Sequence, residues 1–156
     1  YDNGLRIRPE MANLYHELKR NGIDVYIISA SMQELIEVFA TDKSYGYNLE
    51  IENIHAMRLK STTDNILVDE YNYEYLFTQR KGKSEIIEKF IKPKYNRKGP
   101  ILVGGDAVGD ENMLTEFRDT EVLLIMKREG KLDNLVSDKR ALIQHRNLQT
   151  GLLDPK

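Results

Sequence analysis

Short apolar runs alternating with helix-forming stretches are what most narrow the folds open to this chain. Val25-Tyr26-Ile27-Ile28, Ile101-Leu102-Val103 and Val122-Leu123-Leu124-Ile125 are rich in β-formers, and lack of polar alternation is expected of strands covered on both faces. Strands are therefore predicted at Asp24–Ser29, Pro100–Val103 and Glu121–Ile125. Between them, helical spacing predicts helices at Pro9–Arg20, about Met32–Ala40, Ser84–Ile91, Asp110–Phe117 and Leu132–Ile143. The first has Met11, Leu14, Tyr15 and Leu18 on one face, Pro9 in its opening turn and Asn21-Gly22 at its stop. From Thr41 to Gln79 the chain is polar and aromatic, with strand-like pieces at Ile54–Leu59 and Ile66–Glu70 that predict an antiparallel excursion. The whole reads as an α/β protein with a mainly parallel sheet, and such sheets gather their active groups at the carboxyl ends of the strands.

Length and composition bound the function. A chain of 156 residues that is 40% hydrophobic suffices for one compact domain, and residues 1–156 are read as such. A formal net charge of -2 gives no basic excess for nucleic-acid binding, and no apolar run is long enough for a membrane-spanning helix, so a soluble protein is expected. The absence of cysteine removes disulfides, thiolate metal sites and cysteine nucleophiles, and is compatible with either redox compartment. Tyr1-Asp2-Asn3-Gly4 carries neither an initiator Met nor a signal-peptide pattern, so the chain reads as the C-terminal part of a longer protein, cytoplasmic or exported.

Three features carry chemistry. Asp106 and Asp110 follow Ile101-Leu102-Val103-Gly104-Gly105, where two glycines allow a sharp turn and close approach to a ligand. Two carboxylates at a strand end suit Mg²⁺, which takes a few carboxylates and keeps water or phosphate in its other positions. Asp110 is equally well placed to cap the next helix. Ser29 ends an apolar run just before a helix; its hydroxyl and the helix's first amides could cradle phosphate, or Ser29 could simply be an N-cap. Lys83, ahead of Ser84-Glu85-Ile86-Ile87, could neutralise a phosphoryl oxygen or be a surface charge among 23 basic residues, with Lys81 a close rival. His16, His55 and His145 have no paired metal-ligand spacing and read as structural or surface residues. The tyrosines between Tyr45 and Tyr75 could form a cage for a quaternary ammonium group, but packing of the antiparallel excursion explains them better.

Taken in order, Val25-Tyr26-Ile27-Ile28-Ser29, Lys83 and Gly105-Asp106-Ala107-Val108-Gly109-Asp110 resemble the second, third and fourth motifs of the haloacid dehalogenase (HAD) superfamily. Lys83-Ser84-Glu85-Ile86-Ile87-Glu88-Lys89 is similar to the lysine motif of its phosphoserine-phosphatase relatives. Ser29-Ala30-Ser31, Tyr45-Gly46-Tyr47 and Glu52-Asn53-Ile54 resemble its bacterial phosphorylcholine-phosphatase branch. The resemblance implies a Rossmann-like core and a Mg²⁺-dependent phosphatase acting on a small phosphorylated metabolite through an aspartyl-phosphate. It makes Asp106 and Asp110 the metal residues, Lys83 the catalytic lysine and Ser29 the hydroxyl that contacts a phosphoryl oxygen.

The family's first motif, Asp-x-Asp-x-Thr after a strand, has no counterpart here. Asp2 is followed by Asn3-Gly4-Leu5, and Asp64 and Asp69 have the wrong spacing. The resemblance therefore places the nucleophile and the cap upstream of Tyr1, along with a central strand of the sheet, and predicts that this chain alone does not turn over. The rival readings are a degenerate HAD-like module that binds a phosphorylated ligand or a partner without hydrolysis, and the phosphorylation domain of a cation-pumping ATPase. The latter lacks its Asp-Lys-Thr-Gly-Thr motif here. A two-component receiver domain fits less well, since its acidic cluster follows the first strand.

Overall fold

Alternating helices and buried strands recur in the computed structural model, which describes residues 7–147; Tyr1-Asp2-Asn3-Gly4-Leu5 lies outside them. Two compact units result, one of Ile7–Thr78 and one that begins at Gln79.

The first unit opens with α1 (Pro9–Arg20), whose bounds match the prediction. Pro9 sits in the first turn, where a missing N–H costs nothing, and Gly22 takes the left-handed conformation just past the end, with φ of 75°. Strand β1 (Ile27–Met32) precedes α2 (Gln33–Thr41). It pairs in parallel with β2 (Ile54–Met57), Ile27 beside Ile54 and Met32 beside Met57. This changes two expectations. β1 runs past Ser29 to Met32, where it meets β2 again at Met57 after an irregularity in the pairing between Ile28 and Met32. The stretch Ile54–Leu59 is not one antiparallel strand: all four residues of β2 are buried, which suits a parallel sheet, and only β3 (Leu59–Ser61) joins β4 (Leu67–Tyr71) in an antiparallel pair. Val25, Ala40, Leu49 and Ile54 form the core, with Tyr15, Leu18, Ile27 and Ile36 packed on it.

In the second unit α3 (Lys81–Ile86) widens into a π turn at Ile87–Ile91. A three-stranded parallel sheet follows, β5 (Leu102–Gly105), β6 (Val122–Met126) and β7 (Ala141–Gln144), with β6 in the middle. The predicted helix at Leu132–Ile143 is not formed. A single turn at Asp133–Leu135 leads instead to β7, because β6 has Leu123, Ile125 and Met126 buried and its second edge needs hydrogen-bonding partners. Asp138 accepts from the Arg140 amide and guanidinium and shapes the entry to β7, which holds the Asp138 carboxyl down at about 2. Among the described residues no helix is long and apolar enough to cross a membrane. The architecture is Rossmann-like α/β, mainly parallel with one small antiparallel pair.

Candidate functional site

The segment after β5 is organised by one carboxylate. Both glycines of Gly104-Gly105 lie within β5, beside Leu124 and Ile125 of β6, so the chain does not turn there as predicted. What requires Gly105 is close approach: a Cβ there would meet Asp110 Cβ at 2.6 Å. Beyond Asp106 the chain makes a 3₁₀ turn at Val108–Asp110 and enters α4 (Glu111–Thr115).

Asp110 does not use its side chain to cap α4. Its Oδ2 reaches back and accepts from the amides of Asp106 at 3.0 Å and Ala107 at 3.1 Å. Its Oδ1 accepts from Lys83 Nζ at 2.6 Å. Only 10% of the Lys83 side chain and 9% of the Asp110 side chain reach solvent. Lys83 comes from the first turn of α3, whereas the rival Lys81, two residues earlier, is exposed. A buried charge pair of this kind survives because each partner neutralises the other and backbone amides satisfy the remaining carboxylate oxygen. The pair fixes the loop and leaves Asp106 at the mouth of the strand end.

Asp106 itself is partly exposed, and its Oδ2 accepts from Arg128 Nη1 at 3.3 Å. Its other oxygen has no partner among the described residues. One open carboxylate at a strand end fits the way Mg²⁺ is held, with phosphate and water in the remaining positions. Asp110, with both oxygens engaged, fits a role behind that ligand. Among the described residues no group of three or more His, Asp or Glu side chains is placed to hold a metal.

Ser29 belongs to the other unit, in the middle of β1 and four residues before α2. Its hydroxyl oxygen accepts from the Ser31 amide at 3.1 Å, and its carbonyl accepts from Thr78 Oγ1 at 2.6 Å. Met32, not Ser29, is the N-cap of α2, so the hydroxyl and the helix amides are not one cradle. His55 is buried in β2 and shares a 2.7 Å hydrogen bond with the Tyr75 hydroxyl. Burial pushes the Tyr75 hydroxyl upward and Arg58, 3.9 Å from its ring centre, opposes the shift. Tyr71 lies edge-on to Tyr73 and Phe77, and all three rings are exposed.

Arg128 is the site residue that the motifs did not supply. The available signal was its place just after the apolar run Val122–Met126, since neighbouring parallel strands present their carboxyl ends side by side.

No family model matches the chain. A phosphorylcholine phosphatase from Pseudomonas aeruginosa is 34% identical in a 123-residue alignment that covers 65% of this chain and 34% of that protein. A crystal structure of a conserved, functionally unknown protein from Anaerococcus prevotii superposes with a TM-score of 0.90 at 35% identity, over 98% of this chain and 42% of the other. A phosphoserine phosphohydrolase-like protein from Francisella tularensis shares the fold, with a TM-score of 0.61 at 20% identity over 86% of this chain and 58% of the other. The chain thus spans about a third of the curated relative it matches.

Proposed function

We propose, from the place of this chain in the HAD-like phosphatase branch, that it forms part of a Mg²⁺-dependent phosphomonoesterase whose nucleophilic aspartate lies outside these 156 residues. The observation that carries the reading is the buried Lys83–Asp110 pair held behind Asp106 at the carboxyl end of β5. Phosphoryl transfer needs little covalent work from the protein beyond a placed nucleophile; positioning and neutralisation of the phosphoryl oxygens supply most of the rate.

In this reading the nucleophile's carboxylate attacks phosphorus as the bond to the leaving alcohol's oxygen breaks, and water then cleaves the aspartyl-phosphate to free phosphate and restore the carboxylate. A bound Mg²⁺ supplies charge neutralisation at the phosphoryl group. Asp106 is its ligand from this chain. Asp110 holds the Asp106 and Ala107 amides and keeps Lys83 in register, and Lys83 contributes positive charge at the buried end of the site. Ser29 is assigned a phosphoryl oxygen on the strength of the resemblance. Residues 1–156 are read as the C-terminal part of the core, and the substrate as a small phosphorylated metabolite.

The test is phosphate release by the complete protein from phosphorylcholine, phosphoserine and p-nitrophenyl phosphate, with MgCl₂ and with EDTA. Lys83→Ala and Asp106→Asn are each expected to lower turnover by at least roughly a hundredfold, the scale of losing one electrostatic stabiliser. Turnover near wild type in either variant removes the role given to that residue. Phosphate binding without hydrolysis would favour the degenerate module.

A further inference from the structure

One cation at the Asp106 edge has no part in any motif. Arg128 lies two residues beyond β6, and the parallel register that sets Gly105 beside Ile125 brings it to the same end of the sheet as Asp106. Its guanidinium makes a single contact of 3.3 Å with Asp106 Oδ2, and among the described residues it has no other. The two side chains are 40% and 37% exposed, four times as open as Lys83 and Asp110. An exposed one-point ion pair contributes about 0–1 kcal/mol, so stability does not account for it. The neighbouring Lys127, by contrast, is committed to Asp133 and to the Lys131 carbonyl, which anchors the turn that carries Arg128. The Lys131 amide closes that turn on the Arg128 carbonyl at 3.1 Å. A guanidinium presents five N–H donors in a rigid fork suited to phosphate, and only one of them is engaged here. A phosphomonoester arriving beside Asp106 would meet a carboxylate of its own sign. A fixed cation at that edge offsets the repulsion.

We propose that Arg128 is an anion-binding residue of the site, its guanidinium donating to a non-bridging oxygen of the substrate's phosphoryl group and of the phosphate released from it. The proposal rests on the phosphatase reading for the identity of the anion. It adds a residue from the segment after β6 to the charges that α3 and the end of β5 supply.

The test uses inorganic phosphate and the complete protein in MgCl₂. Binding is measured by isothermal titration calorimetry, and the Arg128 Nε–Hε resonance, identified by its loss in Arg128→Lys, is followed by NMR. A charge-assisted hydrogen bond contributes about 1.5–3 kcal/mol, so Arg128→Gln should weaken phosphate binding by roughly tenfold to a hundredfold, with Arg128→Lys between. The Arg128 resonance should shift saturably with phosphate, and the thermal midpoint of Arg128→Gln should stay at the wild-type value. An unmoved resonance, or wild-type phosphate affinity in Arg128→Gln, overturns the proposal. Arg128-dependent phosphate binding in a protein that hydrolyses no phosphomonoester would sustain it while removing the hydrolase reading. Hydrolysis with unchanged phosphate affinity in Arg128→Gln would do the reverse.

Discussion

In each unit a buried side chain satisfies backbone groups that the strands leave over, and the two solutions differ in charge. In the first unit Gln33, at the start of α2, accepts from the Ala56 amide at 2.6 Å and donates to the Ile54 carbonyl at 3.0 Å. Its amide thereby occupies the edge of β2 as a neighbouring strand would. In the second unit Asp110 takes the amides of Asp106 and Ala107, but its remaining oxygen holds a buried lysine. A neutral amide that gives and accepts needs no counter-ion. A carboxylate can only accept, so its burial depends on a cation, and the cation then stands behind an open strand end. The first arrangement closes a sheet; the second fixes charge where a ligand would arrive.

The comparison breaks most readily at Asp110. Asp110→Ala leaves Lys83 buried without a partner and two amides without an acceptor, and should cost about 3–5 kcal/mol in urea unfolding. Asp110→Asn can still accept from both amides but presents no negative charge to Lys83, so only part of the loss should return. Full recovery in Asp110→Asn would mean that the amides, and not the charge pair, carry the stabilisation.

Gln33 should respond less, and in a different pattern. Gln33→Leu removes the partner of one buried donor and one buried acceptor, each worth about 1–3 kcal/mol when left unsatisfied, while gaining some apolar contact. A net loss of about 3 kcal/mol is expected. Gln33→Glu tests the sign of the difference: it can accept from Ala56, but as a carboxylate it opposes the Ile54 carbonyl and the Glu37 carboxylate, to which the Gln33 amide donates at 2.7 Å. Protonation supplies the missing donor, so this variant should be recovered relative to wild type as pH falls from 7 towards 5. A pH-independent deficit would show that a charge is tolerated there as easily as at Asp110.

How far the sequence discloses these arrangements depends on whether a local pattern or a distant partner decides them. α1 is fully legible because Pro9, the spacing of Met11, Leu14, Tyr15 and Leu18, and Gly22 all act locally. β7 is not, since Ala141–Gln144 suits helix or strand and the unfilled edge of β6 decides. Lys83, Asp106 and Asp110 can be picked out by order and spacing, and the structure brings these three together. The backward reach of Asp110 was hidden, because it arises from the closeness of Gly105 to Asp110. Arg128 was hidden for another reason: only the pairing of β5 with β6 makes it a neighbour of Asp106.

The smallest expected effect lies in the first unit and is confined to alkaline pH. Tyr15 packs on the core formed by Val25, Ala40, Leu49 and Ile54, with its ring centre 5.4 Å from that of Tyr47. Burial, with a further contribution from the charge of Tyr47 and some opposition from Arg8, pushes its hydroxyl up to about 12. In the unfolded chain a tyrosine titrates near 10. Below pH 10 both states hold the proton and the stability is complete. Between about 10 and 12 the unfolded chain releases it while the folded state does not, so stability falls through that window by about 2 kcal/mol. Tyr15→Phe removes the group, and the gap between its urea midpoint and that of wild type should therefore move in favour of the variant as pH rises from 9 to 11.5. Parallel curves would mean that Tyr15 ionises as readily folded as unfolded, and that the neutral core of this unit is more open to water than its packing indicates.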